Sequence, residues 1–185
     1  VLAPAPGGPA LVVDPGAVFD ISLAGVGPGA YGVHVTSDRA VGAAVRLVRS
    51  GGEYPARSGS LAHDVGWIQA QDSQATVSGA LTLPAGGMTS ALTISNSGTA
   101  AAAVAIAAAD GSWSQEVSVP AGSTVAPELP AGVSALTLRG TQGVLVAAAA
   151  VVTAEVGCDV PGTLIAVVPP VSDAAVADSL SLLLR

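Results

Sequence analysis

Two histidines, one cysteine and thirteen carboxylates are the side chains on which acid–base, nucleophilic or metal chemistry could draw in this chain. Nucleophilic hydrolysis needs a Ser or Cys within reach of a base that a third group orients. The nearest approach is Ser58-Gly59-Ser60 followed by His63-Asp64, and no G-x-S-x-G pentapeptide occurs. A Gly/Ser-rich connection gives that set no rigidity, so no catalytic residue is expected. His34 stands between Val33 and Val35 and is expected to face solvent from a strand. A metal site asks for three or four converging ligands. His63-Asp64 offers two adjacent groups and Asp72 a distant third, with no D-x-D-x-D-G run, so neither a metal nor another cofactor is expected. Glu53, Glu116, Glu128 and Glu155 have no local setting that would tune a glycosidase-type carboxylate pair. They read as solvated strand or turn residues, and the chain reads as not an enzyme.

Recognition is the remaining chemistry, and the two tryptophans are its candidates. Exposed indoles stack on sugar rings and anchor protein interfaces. Trp113 stands between Ser112 and Ser114 directly after the Asp110-Gly111 turn, a half-exposed setting in which core filling competes with binding. The run GGEYPARSGSLAHDVGWIQAQD, from Gly51 to Asp72, gathers Tyr54, His63, Asp64 and Trp67 in what reads as a long connection. Long loops on a small-residue scaffold carry binding groups, or else cover a sheet edge. Tyr54, His63, Asp64, Trp67 and Trp113 are therefore the candidate binding residues.

The elements that must position them follow from composition. Six Arg, no Lys and thirteen acids in 185 residues give a net charge of −7. Phosphate backbones demand clustered cations, so nucleic acid is excluded as a partner. Half the residues are hydrophobic, which excludes a disordered chain. The longest apolar run, Val144 to Ala154, is too short to span a bilayer, so a membrane association would run through an anchor elsewhere. The opening VLAPAPGGPA has neither a basic start nor a long apolar stretch and reads as a mature or cut form. Cys158 cannot form an internal disulfide and reads as a small core residue.

Turn residues every eight to twelve positions separate short alternating runs, the pattern of antiparallel strands. These runs are Ala91–Ser95, Ala103–Ala107, Ser114–Val119, Thr124–Leu129, Val133–Leu138 and Gly143–Thr153. Alanine favours a helix over Thr99–Ala109, but Val104 and Ile106 alternate with period 2 and favour a strand. Val144–Val152 lacks polar alternation and reads as a central strand buried on both faces. The chain also aligns with itself. Val13–Leu23 lies on Val119–Leu129 at an offset of 106, and Val33–Val45 on Leu136–Ala148 at 103. Two modules, 1–83 and 88–185, are the expectation, joined at Leu83-Pro84-Ala85-Gly86-Gly87. The first lacks an opening hairpin. One candidate to supply the missing part is Ser172–Arg185, as a strand or a short amphipathic helix.

The phrases SALTISNSGTAAAAVAIAAADG, SVPAGSTVAPELPAG, VHVTSDRAVGAAVRLV and DVGWIQA resemble a family of exported or membrane-anchored actinobacterial proteins of uncharacterised function. The resemblance covers roughly residues 11 to 70 and 88 to 155. It implies an extracytoplasmic place and no catalytic residues. The expected fold is all-β, with tandem Ig-like antiparallel β-sandwich modules. The expected role is a structural or protein-interaction module of a cell-envelope protein, whose partner is another envelope protein or a glycan. A carbohydrate-binding or accessory module in envelope polysaccharide assembly is the alternative. The oligomeric state is left open.

Overall fold

A computed structural model describes residues 11–53, 55, 57–71, 77–84, 86–141, 145–156 and 161–172. Among these the chain is all-β: β1 (Ala44–Glu53), β2 (Leu61–Gln69), β3 (Ser78–Thr82), β4 (Met88–Asn96), β5 (Ala102–Ala108), β6 (Ser114–Val119), β7 (Thr124–Val125), β8 (Ala135–Gly140), β9 (Val146–Val156), β10 (Gly162–Val168) and β11 (Val171–Ser172). Every pairing is antiparallel. A four-stranded sheet, β10-β9-β4-β7, packs on a five-stranded one, β11-β3-β8-β5-β6. The shared core is built from alternate residues of both: Leu92 and Ile94 of β4, Ala148 and Ala150 of β9, Val104 and Ile106 of β5, Leu136 and Leu138 of β8. This is a β-sandwich, as the turn spacing implied.

The helix alternative over 99–109 loses for a reason visible in β5. Ala102, Val104, Ile106 and Ala108 all face the core, while backbone ladders form to β6 on one side and β8 on the other. β-branched side chains pack well on a pleated, half-buried surface, and that packing outweighs alanine's intrinsic preference. Ile106 is fully buried. Ile106→Val is expected to cost about 1 kcal/mol, read as a shifted urea midpoint with an unchanged slope.

β9 is central, between β10 and β4, and its residues from Val146 to Val152 are buried or half-buried. The Thr124–Leu129 strand shortens to Thr124–Val125, because Pro127 has no N–H to continue a ladder. The 83–87 connection joins β3 to β4, and both belong to this sandwich: β3 pairs with β8, and Leu83 is a core residue whose N–H donates to Ser134 O at 2.7 Å.

The N-terminal stretch departs from expectation. Residues 11–43 contain no strand, so the strand expected around His34 and the one before Leu23 do not form; His34 is exposed. Val12, Val18, Phe19, Ile21 and Val33 are all more than half exposed. Alternation alone cannot make a strand, because the backbone must find a ladder partner. The Gly51–Asp72 segment departs in the other direction. Instead of a long loop, Gly51–Glu53 closes β1, Leu61–Gln69 is β2, and the two strands form a hairpin.

This hairpin is a third layer. Its inward face, Val45, Leu47, Ala62, Asp64, Gly66 and Ile68, is half-buried or buried. Gly66 lies over Val167 and Ile165 of β10. Those residues sit across from Val151 and Thr153, on the side of the four-stranded sheet opposite the core residues Ala148 and Ala150.

Candidate functional site

Strand register builds the most exposed array of large side chains on the described hairpin. Arg46 pairs with Trp67, Val48 with Val65 and Ser50 with His63, and successive residues of a strand alternate faces. Arg46, Val48, Ser50, His63, Val65 and Trp67 therefore share the outward face, and all are exposed. Trp67 is 57% exposed. The Arg46 guanidinium lies 5.9 Å from the centroid of its ring, within cation–π reach. Arg and Trp are the residue types most enriched at interface hot spots. The hairpin, residues 44–69, carries Arg46, Arg49 and Arg57 against Glu53 and Asp64.

The adjacent candidates His63 and Asp64 do not converge. They point to opposite faces of β2, and both Asp64 oxygens are taken. Oδ1 accepts from Val65 N at 2.8 Å and Oδ2 from Ile165 N at 2.7 Å, tying the hairpin to the free edge of β10. Asp64 is a structural clamp, and a metal pair with His63 is ruled out by direction. Among the described residues no three His, Cys, Asp or Glu side chains group as metal ligands. Tyr54, Asp72, Cys158 and residues 173–185 lie outside the described residues, so the structure places none of them.

Glu53 corrects the solvated reading given to it. Its side chain is only 8% exposed, and Oε1 accepts a hydrogen bond from Gly59 N, folding the β1–β2 connection back on the strand end.

Trp113 occupies a separate place. It is partly buried against the core, where its carbonyl accepts from Ala108 N at 2.8 Å. The Asp110-Gly111 turn fixes it there. Gly111 adopts φ 74°, and Asp110 Oδ1 accepts from Ser112 N at 2.9 Å. Hydrogen bonding from the Ser112 side chain and backbone holds the Asp110 carboxyl below the ordinary carboxylate range. Core filling and exposure both hold in part for Trp113, since it packs partly buried against the core and also lines a surface cleft with Gln115, Glu128, Leu129 and Pro130.

Residue type alone singles out Trp67 but not Arg46, because only the register of β1 against β2 brings them together. No local signal joins them, since they lie 21 residues apart in the sequence.

Residues 3–130 match the model of DUF5719, a family of unknown function. No curated protein and no solved structure matches the chain.

Proposed function

The chain belongs to the DUF5719 family of unknown function, and on that footing we propose that it is a non-enzymatic structural or protein-interaction module of a bacterial cell-envelope protein, acting on the extracytoplasmic side. The observation that carries the reading is the outward face of the β1–β2 hairpin. A stacked Arg46–Trp67 pair, with Val48 and Val65 beside it, is exposed on a layer clamped to the sandwich. An indole brings large contact area with only two side-chain torsions to fix on binding, and the strand pair beneath it is already ordered. Residues 11–43 also expose apolar side chains that a partner would cover. The actinobacterial, exported character implied by the sequence resemblance belongs to the same proposal.

Tandem Ig-like organisation is part of it too. The offset of 103 that aligns Val33–Val45 with Leu136–Ala148 carries β1 onto residues 147–156, inside β9. Each of these strands is followed by an antiparallel hairpin partner, β2 after β1 and β10 after β9. That correspondence supports a duplicated hairpin as the remnant of two modules.

The test is co-sedimentation with separated envelope fractions, polysaccharide and peptidoglycan against membrane proteins, at low and high salt. Retention with membrane protein is expected, and Arg46→Ala with Trp67→Ala is expected to reduce it at least tenfold. Both side chains are exposed, so stability should change by no more than about 0.5 kcal/mol. Retention unaffected by the double variant would remove the hairpin face from the proposal.

A further inference from the structure

We propose that the cleft beside Trp113 is a binding subsite for an uncharged glycan chain. It is distinct from the hairpin face and would stand or fall separately from it. The cleft measures about 510 Å³ and is lined by Trp113, Gln115, Glu128, Leu129 and Pro130, within the roughly 300–1,000 Å³ of small-ligand sites.

Both walls are held in place before any ligand arrives. On one side the Asp110-Gly111 turn and the Ala108 N to Trp113 O bond fix the indole at the start of β6. Gln115 follows two residues later on the same strand face as Trp113. On the other side Leu129 packs against the core, and the Pro130 carbonyl accepts from Val133 N at 3.4 Å in the next turn. Glu128 directly precedes these two residues and is exposed.

A pyranose ring matches this set of groups. Its apolar C–H face stacks on an indole, and its rim of hydroxyls supplies donors for a carboxylate and both donors and acceptors for an amide. Trp113 offers the face, Glu128 the acceptor and Gln115 the two-way partner. Charge selects among sugars. The cleft is lined by one carboxylate and no cation, and the chain carries −7 overall. A uronic acid or phosphorylated sugar would meet an uncompensated Glu128, whereas a neutral ring leaves that carboxylate free to accept hydroxyl protons. A peptide would instead add to the outer edge of β6, which pairs only with β5; that mode binds through main chain and makes no use of the Trp113 face.

The experiment uses the full chain, ¹⁵N-labelled, with the two indole N–H signals assigned through Trp67→Phe. Titration with chitotetraose, cellotetraose and mannotetraose is expected to shift the Trp113 indole with at least one of them and to leave the Trp67 indole unmoved. Tetragalacturonate is expected to bind at least tenfold more weakly. Glu128→Gln and Gln115→Ala, at exposed positions, should each weaken the neutral sugar at least threefold. Trp113→Phe should weaken it less than Trp113→Ala, which also removes a core contact. No Trp113 shift with any neutral tetrasaccharide at 10 mM overturns the proposal. So does equal or tighter binding of tetragalacturonate, or a shift produced by a Lys-containing pentapeptide and by none of the sugars.

Discussion

Asn96→Leu should destabilise the protein by about 4 kcal/mol, the largest loss expected from any near-isosteric change in the sandwich. Asn96 ends β4 at only 2% exposure, and its amide brackets the backbone around it. Nδ2 donates to Ala100 O at 2.8 Å and to Val119 O at 2.9 Å, while Oδ1 accepts from Gly98 N at 2.9 Å. One amide thus closes the β4–β5 turn and ties it to the last residue of β6, across the two sheets. Leucine fills the space and strands two carbonyls and one N–H, the Val119 carbonyl in a buried position and the other two groups in part-buried ones. Asn96→Asp supplies the sign. It keeps the acceptor for Gly98 but turns an anionic oxygen towards two carbonyls, so its folded pKa must rise above the unfolded value of about 3.9. The penalty is therefore small below that unfolded pKa and grows as pH rises through it. Urea unfolding of wild type and both variants at pH 3.5 and 7 reads this directly. An Asn96→Leu protein within about 1 kcal/mol of wild type would falsify the bracket.

The sequence made β5 and β6 legible almost to the residue because turns bound them and the alternation of Val104, Ile106, Val117 and Val119 survives in a chain of small side chains. β8 and β9 sit two or three residues later than the apolar runs suggested, since register with β3, β4 and β5 decides where a ladder begins. The hairpin was hidden for a different reason. Gly51, Gly52, Ser58, Gly59 and Ser60 punctuate the 51–60 region so densely that the alternation of β2 read as loop. Its strand character comes from pairing with β1 and from packing on β10, neither of which is local.

The N-terminal stretch shows the converse. Val18, Phe19, Ile21, Val33 and Val35 have strand-forming side chains, yet residues 11–43 find no ladder. Pattern reports which face a strand would bury, and it cannot report whether a neighbour exists to bury it against. The candidate site divides in the same way. Trp67 and Trp113 stand out by residue type in an aromatic-poor chain. Arg46 over Trp67, Asp64 on Ile165 and Glu53 on Gly59 are all products of hairpin geometry.

Gly162→Ala is expected to lift the β1–β2 hairpin off β10 while leaving the sandwich folded. A Cβ at Gly162 would fall inside the backbone of Gly51 and Gly52, and one at Gly52 would lie 2.6 Å from Gly162 Cα and 3.1 Å from Val156 O. The obstructing atoms are main chain on both sides, so no rotamer change relieves the overlap. Gly52 is further restricted by φ 79°, which side-chain-bearing residues rarely adopt. Overpacking of this kind costs about 3 kcal/mol, enough to break the hairpin contact but not the core of Leu92, Ile106 and Leu138, which it does not touch. Hydrogen exchange should then show lost protection across 44–53, 61–69 and at Ile165, whose N–H gives up Asp64, with Ile106 and Leu138 still protected. Gly66→Ala is the matched control. Its Cβ would meet Val167 and Ile165 methyl and methylene groups at 3.4 to 3.8 Å, ordinary contact that a sheet interface accepts. If Gly162→Ala leaves protection of the hairpin unchanged, the glycine contact does not hold the third layer. If it releases the hairpin, Arg46 and Trp67 lose both the protected β1–β2 ladder that pairs them and their fixed placement on the sandwich. Binding through that face should then weaken through the entropy of an untethered hairpin, with none of its contacting side chains altered.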